Sequence, residues 1–446
     1  MIGTSAALYF ALQIAQSTDN TLSLQQAIQI AEQNAFAMRI ARRDIEEAEA
    51  ATTIAKARLS PGAQIVGTGS WFNAESSGGF GPSGSQFTTT VQFQVSQIID
   101  ISGINRLRIR GAEMNSRASR AAMSAILNTT KLQVREAYFG VLQANELVHI
   151  QAAAVIANRE RLAKATVRFE AGAIPKFDVL RLESELRKSD RDLTEAQGNY
   201  QLAKQRLNSV LGRPIDTEFE LAGSYDLQPA SQDARYYLEI ALSSRPEVEQ
   251  AQLAIDALEY LRKAEERAAL PSMTISGAYQ RNLDPGFGQA DQQTSAAATI
   301  SFPIVTGGVV SANAKAAKER EERAKIQFEQ LLLAIGLEVH SAFTRLQTAH
   351  KNYLSAQQNL VVAEEALRLA QLRYDEGAGI LLDVTIAQSE VILAQSSREV
   401  AAFQVRTAYA ALQQAVGKDS LTKDTNKIIN QSAGPAGDSN QEKANS

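Results

Sequence analysis

Three histidines, His149, His340 and His350, are the side chains here best suited to acid–base or metal chemistry, and their spacing supports neither. His340 and His350 stand ten residues apart in a helical pattern, so they leave different faces, and no metal-binding spacing links them. The chain has no cysteine, which removes thiolate ligands, a thiol nucleophile, disulfides and lipid attachment through an N-terminal Cys. No phosphate-binding loop is present, and Gly67-Thr68-Gly69 falls inside a strand pattern rather than at a strand-to-helix turn. Acids and bases are mixed along the chain, 49 against 45, and no basic block marks a nucleic-acid partner. These residues predict no enzyme, no resident metal and no cofactor.

The informative pattern is a duplicated turn. Arg168-Phe169-Glu170-Ala171-Gly172, followed by Asp178-Val179-Leu180, returns 205 positions later as Arg373-Tyr374-Asp375-Glu376-Gly377, followed by Asp383-Val384. Glycine just past a helical run is a C′ signal, because it enters the left-handed region without a Cβ clash. Aspartate ahead of the next run is an N-cap signal. Each copy reads as a tight turn between helices, with Asp178 and Asp383 as expected caps.

The elements that position these turns repeat as well. A helical pattern over Ser23–Leu59 stops at Pro61, and one over about Asp233–Ala269 stops at Pro271. Period-two stretches follow each: Ala63–Phe72 and Gln86–Ile99, then Met273–Gln280 and Ser295–Phe302. The first pair is joined by a Gly/Ser/Pro loop over 73–85, the second by a loop that begins at Asn282. Long helices are predicted over about Asn105–Ala171 and Val309–Glu376, with return helices over Asp178–Leu211 and Asp383–Val416. The organisation is therefore repeat 1 at 21–223, with a β-hairpin near 62–101 and a tip at 172–177, and repeat 2 at 224–419, with a hairpin near 272–304 and a tip at 377–382. Residues 1–20 hold an apolar stretch, Ala6–Leu12, with two readings: a signal-peptide core or an ordinary apolar start. Residues 420–446 read as a disordered polar tail. No run of 18 apolar residues marks a membrane-spanning helix.

The strand faces are unusual. Their polar positions hold Thr, Ser and Gln rather than the Lys and Glu of a solvent-facing sheet, and their length suits a tilted membrane strand. Lipid does not tolerate open strand edges, and four strands cannot close a barrel, so membrane-spanning strands would have to be pooled among several chains. The other reading is a soluble helical coiled-coil scaffold with two hairpins.

With its two-fold repeat, the Pro61 and Pro271 lead-ins, the paired tips and the Ser102-Gly103 and Thr306-Gly307-Gly308 strand exits, the chain resembles the TolC-like outer membrane efflux protein family over roughly Leu22–Gly417. The resemblance implies an α+β, mostly α fold, built on a duplicated helix–β-hairpin–long helix–helix unit. It implies a trimer forming a 12-stranded outer-membrane β-barrel continuous with a periplasmic α-helical barrel, most of the chain lying in the periplasm. It implies a passive exit duct for small toxic compounds or polypeptides, delivered by an inner-membrane pump through a periplasmic adaptor.

Residue by residue, the resemblance places Asp383 at the entrance constriction, where three copies would form a carboxylate ring attractive to cations. A second acid that similar proteins carry three residues on is Ile386 here. Tyr374 and Asp178 match partners of an entrance latch, whose matching Arg is replaced by Gly379. Arg168, Gly172, Arg373 and Gly377 match the tips that meet the adaptor.

Overall fold

A computed structural model of the chain describes residues 21–74, 84–222, 232–285 and 290–419. The apolar stretch before residue 21, the tail after 419 and most of the first hairpin loop lie outside the described residues. The elements in order are β1 (Thr21–Leu22), α1 (Leu24–Asn34), α2 (Phe36–Ala57), β2 (Gly62–Ala74), β3 (Gly84–Ile99), α3 (Ile104–Glu170), α4 (Lys176–Val210) and β4 (Glu220–Leu221). Then come α5 (Ala234–Ser244), α6 (Pro246–Glu266), a 3-10 turn (Arg267–Ala269), β5 (Ser272–Asn282), β6 (Gln292–Ser301), α7 (Val309–Asp375) and α8 (Leu381–Val416). The fold is α+β and mostly helical. At 67 residues each, α3 and α7 are about 100 Å long.

Two corrections follow. The helix expected over 23–59 is broken at Ala35, and the one over 233–269 is broken at Arg245, each break residue holding an extended ψ. Pro246 explains the second break, since proline drives the residue before it out of the helical region. Both breaks sit under a glycine that ends a return helix. A Cβ on Gly212 would lie 2.5 Å from the Asn34 carbonyl oxygen, and one on Gly417 would lie 3.2 Å from Arg245 Cγ. Both glycines have positive φ, +69° and +76°. The repeat therefore includes a joint that periodicity did not reveal.

The described residues fall into two compact units that cut across the sequence repeats. One takes residues from 21–40, 123–246 and 332–419, the other 41–122 and 247–331. In the first unit, Ala27, Ala31 and Met38 pack with Val134, Tyr138 and Val141 of α3 and with Leu207 and Leu211. Small residues on α1 let its backbone approach the long helix closely. A two-stranded parallel pair, β1–β4, closes this core, and the Tyr138 hydroxyl reaches the carbonyls of Leu22 and Ala222, each at 3.0 Å. Part of α3 is apolar and long enough to cross a membrane by composition. Of that apolar window 22% is buried inside the chain, and the core along α3 is anchored by the fully buried Val134, Tyr138 and Val141 of the same helix.

The second unit contains one antiparallel sheet of order β2-β3-β5-β6. The two hairpins of the two repeats join through β3 and β5, and β2 and β6 are its edges. Below it, Arg262 of α6 and Lys325 both pair with the buried Glu321 of α7. Burial pushes the Glu321 carboxyl up, but hydrogen bonds and charge from Lys325 and Arg262 outweigh this and hold it below the usual carboxylate range.

Candidate functional site

The sheet has two chemically different faces, kept in register across all four strands. One row runs Ile65–Phe93–Tyr279–Thr294 and the next row on that face Ala63–Val95–Gly277–Ala296. Trp71, Phe87, Val91, Ile275 and Ile300 share this face by alternation. On the other face the rows read Gln64–Gln94–Ala278–Ser295 and Val66–Gln92–Gln280–Gln293. Among the described side chains of β2, β3, β5 and β6, Arg281 is the one charged group, and it stands at the strand end away from the helices, on the apolar face. The apolar face is uncovered: Ile65 is 72% exposed and Trp71 66%. At 10 residues, β6 tilted by about 40° rises about 26 Å, close to the roughly 25 Å band that a membrane strand must cover.

The helical tips form in the other unit. Gly172 and Gly377 both take φ +73°. At each tip a 6→1 bond closes the helix end, Ala173 N–H to the Arg168 carbonyl at 2.8 Å and Ala378 N–H to the Arg373 carbonyl at 2.9 Å. This is the glycine-ended helix the sequence predicts. The next helices start earlier than expected. Their caps are Pro175 and Ile380, with no side-chain cap bond, so Asp178 and Asp383 stand in the first turn instead. There a carboxylate still interacts favourably with the helix dipole.

The two tips pack on each other. Ala165, Leu182 and Leu381 make a small core, joined by Leu162, Ile174 and Tyr374. The Arg168 guanidinium lies over the Tyr374 ring at 5.2 Å from its centroid. Among the described hydrogen bonds none joins Tyr374 to Asp178. Asp383, Arg373, Gly172 and Gly377 are exposed, and Asp178 is half-buried. A Cβ on Gly379 would stand 3.0 Å from Arg373 Cβ, so the second tip is too tight for a larger residue at this position to enter freely. His149 is exposed, 3.3 Å from Asn145, and no acid–histidine cluster among the described residues could hold a metal.

Sequence reasoning missed a polar cluster just above the tips, made by Asn158, Arg161, Ser189 and Gln388. Its parts lie on three helices, so no local motif announces it. Burial pushes the Arg161 guanidinium below its ordinary value.

Comparison with known proteins places these features in a group. The family model described as outer membrane efflux protein matches residues 27–213 and 237–418. Nodulation protein T of Rhizobium leguminosarum bv. viciae is 24% identical over 412 residues, covering 90% of this chain and 80% of that protein. Outer membrane efflux protein BepC of Brucella suis is 25% identical over 333 residues, covering 74% of this chain and 72% of that protein. The crystal structure of the Campylobacter jejuni CmeC outer membrane channel has the same fold, with a TM-score of 0.76 at 19% identity, covering 92% of this chain and 88% of that one.

Proposed function

The chain belongs to the outer membrane efflux protein family, and on that premise we propose that three copies pool their sheets into a 12-stranded barrel that is the outlet of a passive export duct. The observation that carries this reading is the two-faced sheet with both edges open. An apolar outer face suits lipid, an uncharged polar face suits a watery lumen, and unpaired edge groups cannot be left in a bilayer. A soluble scaffold would instead leave Ile65, Trp71, Phe87 and Ile300 against water. The helices support the same assembly. Leu333, Leu354 and Val361 recur at multiples of seven along α7 and are all exposed, a seam suited to a neighbouring copy.

The duct is placed in the outer membrane with its helical part in the periplasm. It takes small toxic compounds or polypeptides from an inner-membrane pump through a periplasmic adaptor. At its entrance Asp383 forms the ring of three carboxylates, Tyr374 and Asp178 belong to the latch, and Arg168, Gly172, Arg373 and Gly377 meet the adaptor. The Arg168–Tyr374 contact supports a link between the tips.

Purification in detergent and insertion into planar lipid bilayers tests the reading. The expected results are a particle of three times the chain's 48.3 kDa and discrete conductance steps. A monomer that stays soluble without detergent and inserts no channel would refute it.

A further inference from the structure

The one charge on the four-stranded sheet stands on the face assigned to lipid, and its neighbours are arranged to use it. Arg281 on β5 lies directly across from Gln292, the first residue of β6, on one side and from Val91 of β3 on the other. Tyr279, two residues before Arg281, shares this face. Tyr279, Arg281 and Gln292 are all exposed. The Tyr279 hydroxyl donates to Gln292 Oε1 at 3.1 Å.

That bond decides which end of the Gln292 amide is free. With Oε1 engaged, Nε2 and its two hydrogens are left to donate. They stand across from Arg281, whose Cβ is roughly 5 Å from that of Gln292 in such a pair. The guanidinium adds a planar fork of donors that matches the oxygens of a phosphate. Among the described residues the Arg281 side chain forms no ion pair, and no carboxylate stands on this face of β2, β3, β5 and β6. The cluster is therefore rich in donors and carries an unanswered positive charge.

Its depth says what meets it. Gln292 precedes Ser301, the helix-side end of β6, by nine residues, a rise of about 23 Å at the same tilt. The cluster thus sits at the outer border of an apolar band about 25 Å tall, on the side away from the helices. A guanidinium is costly in the middle of that band and nearly free at its border, where the stem lies on apolar neighbours and the head reaches polar groups. The row of Arg281 reads Gly67–Val91–Arg281–Gln292, and two rows further out stand Trp71 and Phe87. Flat aromatic rings thus continue about 10 Å beyond the charge. A phospholipid offers little but water above its phosphate, whereas a phosphorylated sugar lipid offers ring faces that can lie on Trp71 and Phe87.

We propose that Arg281 and Gln292 bind a phosphate on the sugar head of an outer-leaflet glycolipid. Tyr279 is a positioning residue: it acts through the Gln292 amide, which it holds in its donating orientation. The site rests on the barrel reading and goes beyond it, since closing a barrel requires no particular lipid.

The test uses the full chain purified in detergent as a trimer, with native mass spectrometry counting bound lipid A as its concentration rises. One lipid per chain is expected. Arg281→Gln should weaken binding tenfold or more, the loss of a charge-assisted contact. Arg281→Lys, which keeps the charge without the fork, should fall between. Gln292→Leu should weaken binding severalfold. Tyr279→Phe should weaken it too, yet add nothing in a chain that already carries Gln292→Leu. Lipid A stripped of its phosphates should lose the tenfold factor on the unaltered chain and lose nothing further on Arg281→Gln. Unchanged affinity in Arg281→Gln, phosphatidylglycerol bound as tightly as lipid A, or displacement of lipid A by inorganic phosphate at equal concentration would overturn the site while the channel stands. An unaltered chain that inserts no channel overturns the barrel, and the site with it.

Discussion

Phe93 and Gln94 are adjacent on β3, face opposite sides of the sheet and sit near the middle of the four-stranded region. Arginine at Phe93 would place a charge at mid-bilayer, at a cost of about 2–4 kcal/mol for a lipid-facing position. Phe93 is 46% exposed, so losing the lipid contact of roughly half its ring adds about 1 kcal/mol. The expected destabilisation by Phe93→Arg is about 3–5 kcal/mol per chain. Gln94→Arg would face the lumen, where water solvates it, and should cost less than about 1 kcal/mol. The reporter is built in: the single tryptophan, Trp71, lies on the same face as Phe93. Urea unfolding from phospholipid vesicles, followed by Trp71 emission, measures both variants. Equal losses for the two, or a neutral Phe93→Arg, would refute the assignment of faces and with it the barrel.

Asp383→Asn should lower the cation preference of the reconstituted channel, read as a reversal potential in a salt gradient moving toward zero; an unchanged potential would reject the ring. Gly212→Ala and Gly172→Ala both place a Cβ at positive φ, which costs about 1–2 kcal/mol. Only at Gly212 does that Cβ also meet backbone, 2.5 Å from the Asn34 oxygen, so thermal unfolding should show the larger loss there. Asp419 pairs with Lys131 at 2.5 Å and Arg135 at 3.0 Å. Burial raises its carboxyl, but the hydrogen bonds and charges of those two cations leave it below the usual value. A depressed folded-state pKa contributes stability above the unfolded value of about 3.9 that is lost as pH falls through the folded one. Acid unfolding of Asp419→Asn should therefore lack that increment near and above pH 4 and converge with the unaltered chain at lower pH.

What was legible in the sequence is what is local. Alternation gave β3, β5 and β6, and Gly172 and Gly377 marked both tips, because period and left-handed glycine are properties of a few neighbouring residues. Pro246 was visible and its helix break could have been read. The break at Ala35 could not, since no proline or glycine marks it and its partner, Gly212, is distant in sequence. The start of α8 was misplaced for a related reason: Ile380 caps it through backbone geometry alone, without the side-chain bond that makes Asp a signal. The Arg161 cluster needs α3, α4 and α8 brought together, and polar residues on an Ala- and Gln-rich helix look like any solvated face until the fold pairs them.

The strand order has a consequence for how copies can meet. β2 and β6 run in opposite directions, and the helices of every copy must leave on the same side of the bilayer. Joining β2 to another β2 antiparallel would need a second copy standing upside down. Only unlike edges mate among upright copies, so every joint is head-to-tail, and a head-to-tail joint with constant rotation closes into a ring rather than a two-fold pair. Around the proposed ring the ribbons of repeat 1 and repeat 2 would alternate, and a chain carrying a single repeat would have to gather six copies to complete the circle proposed here for three.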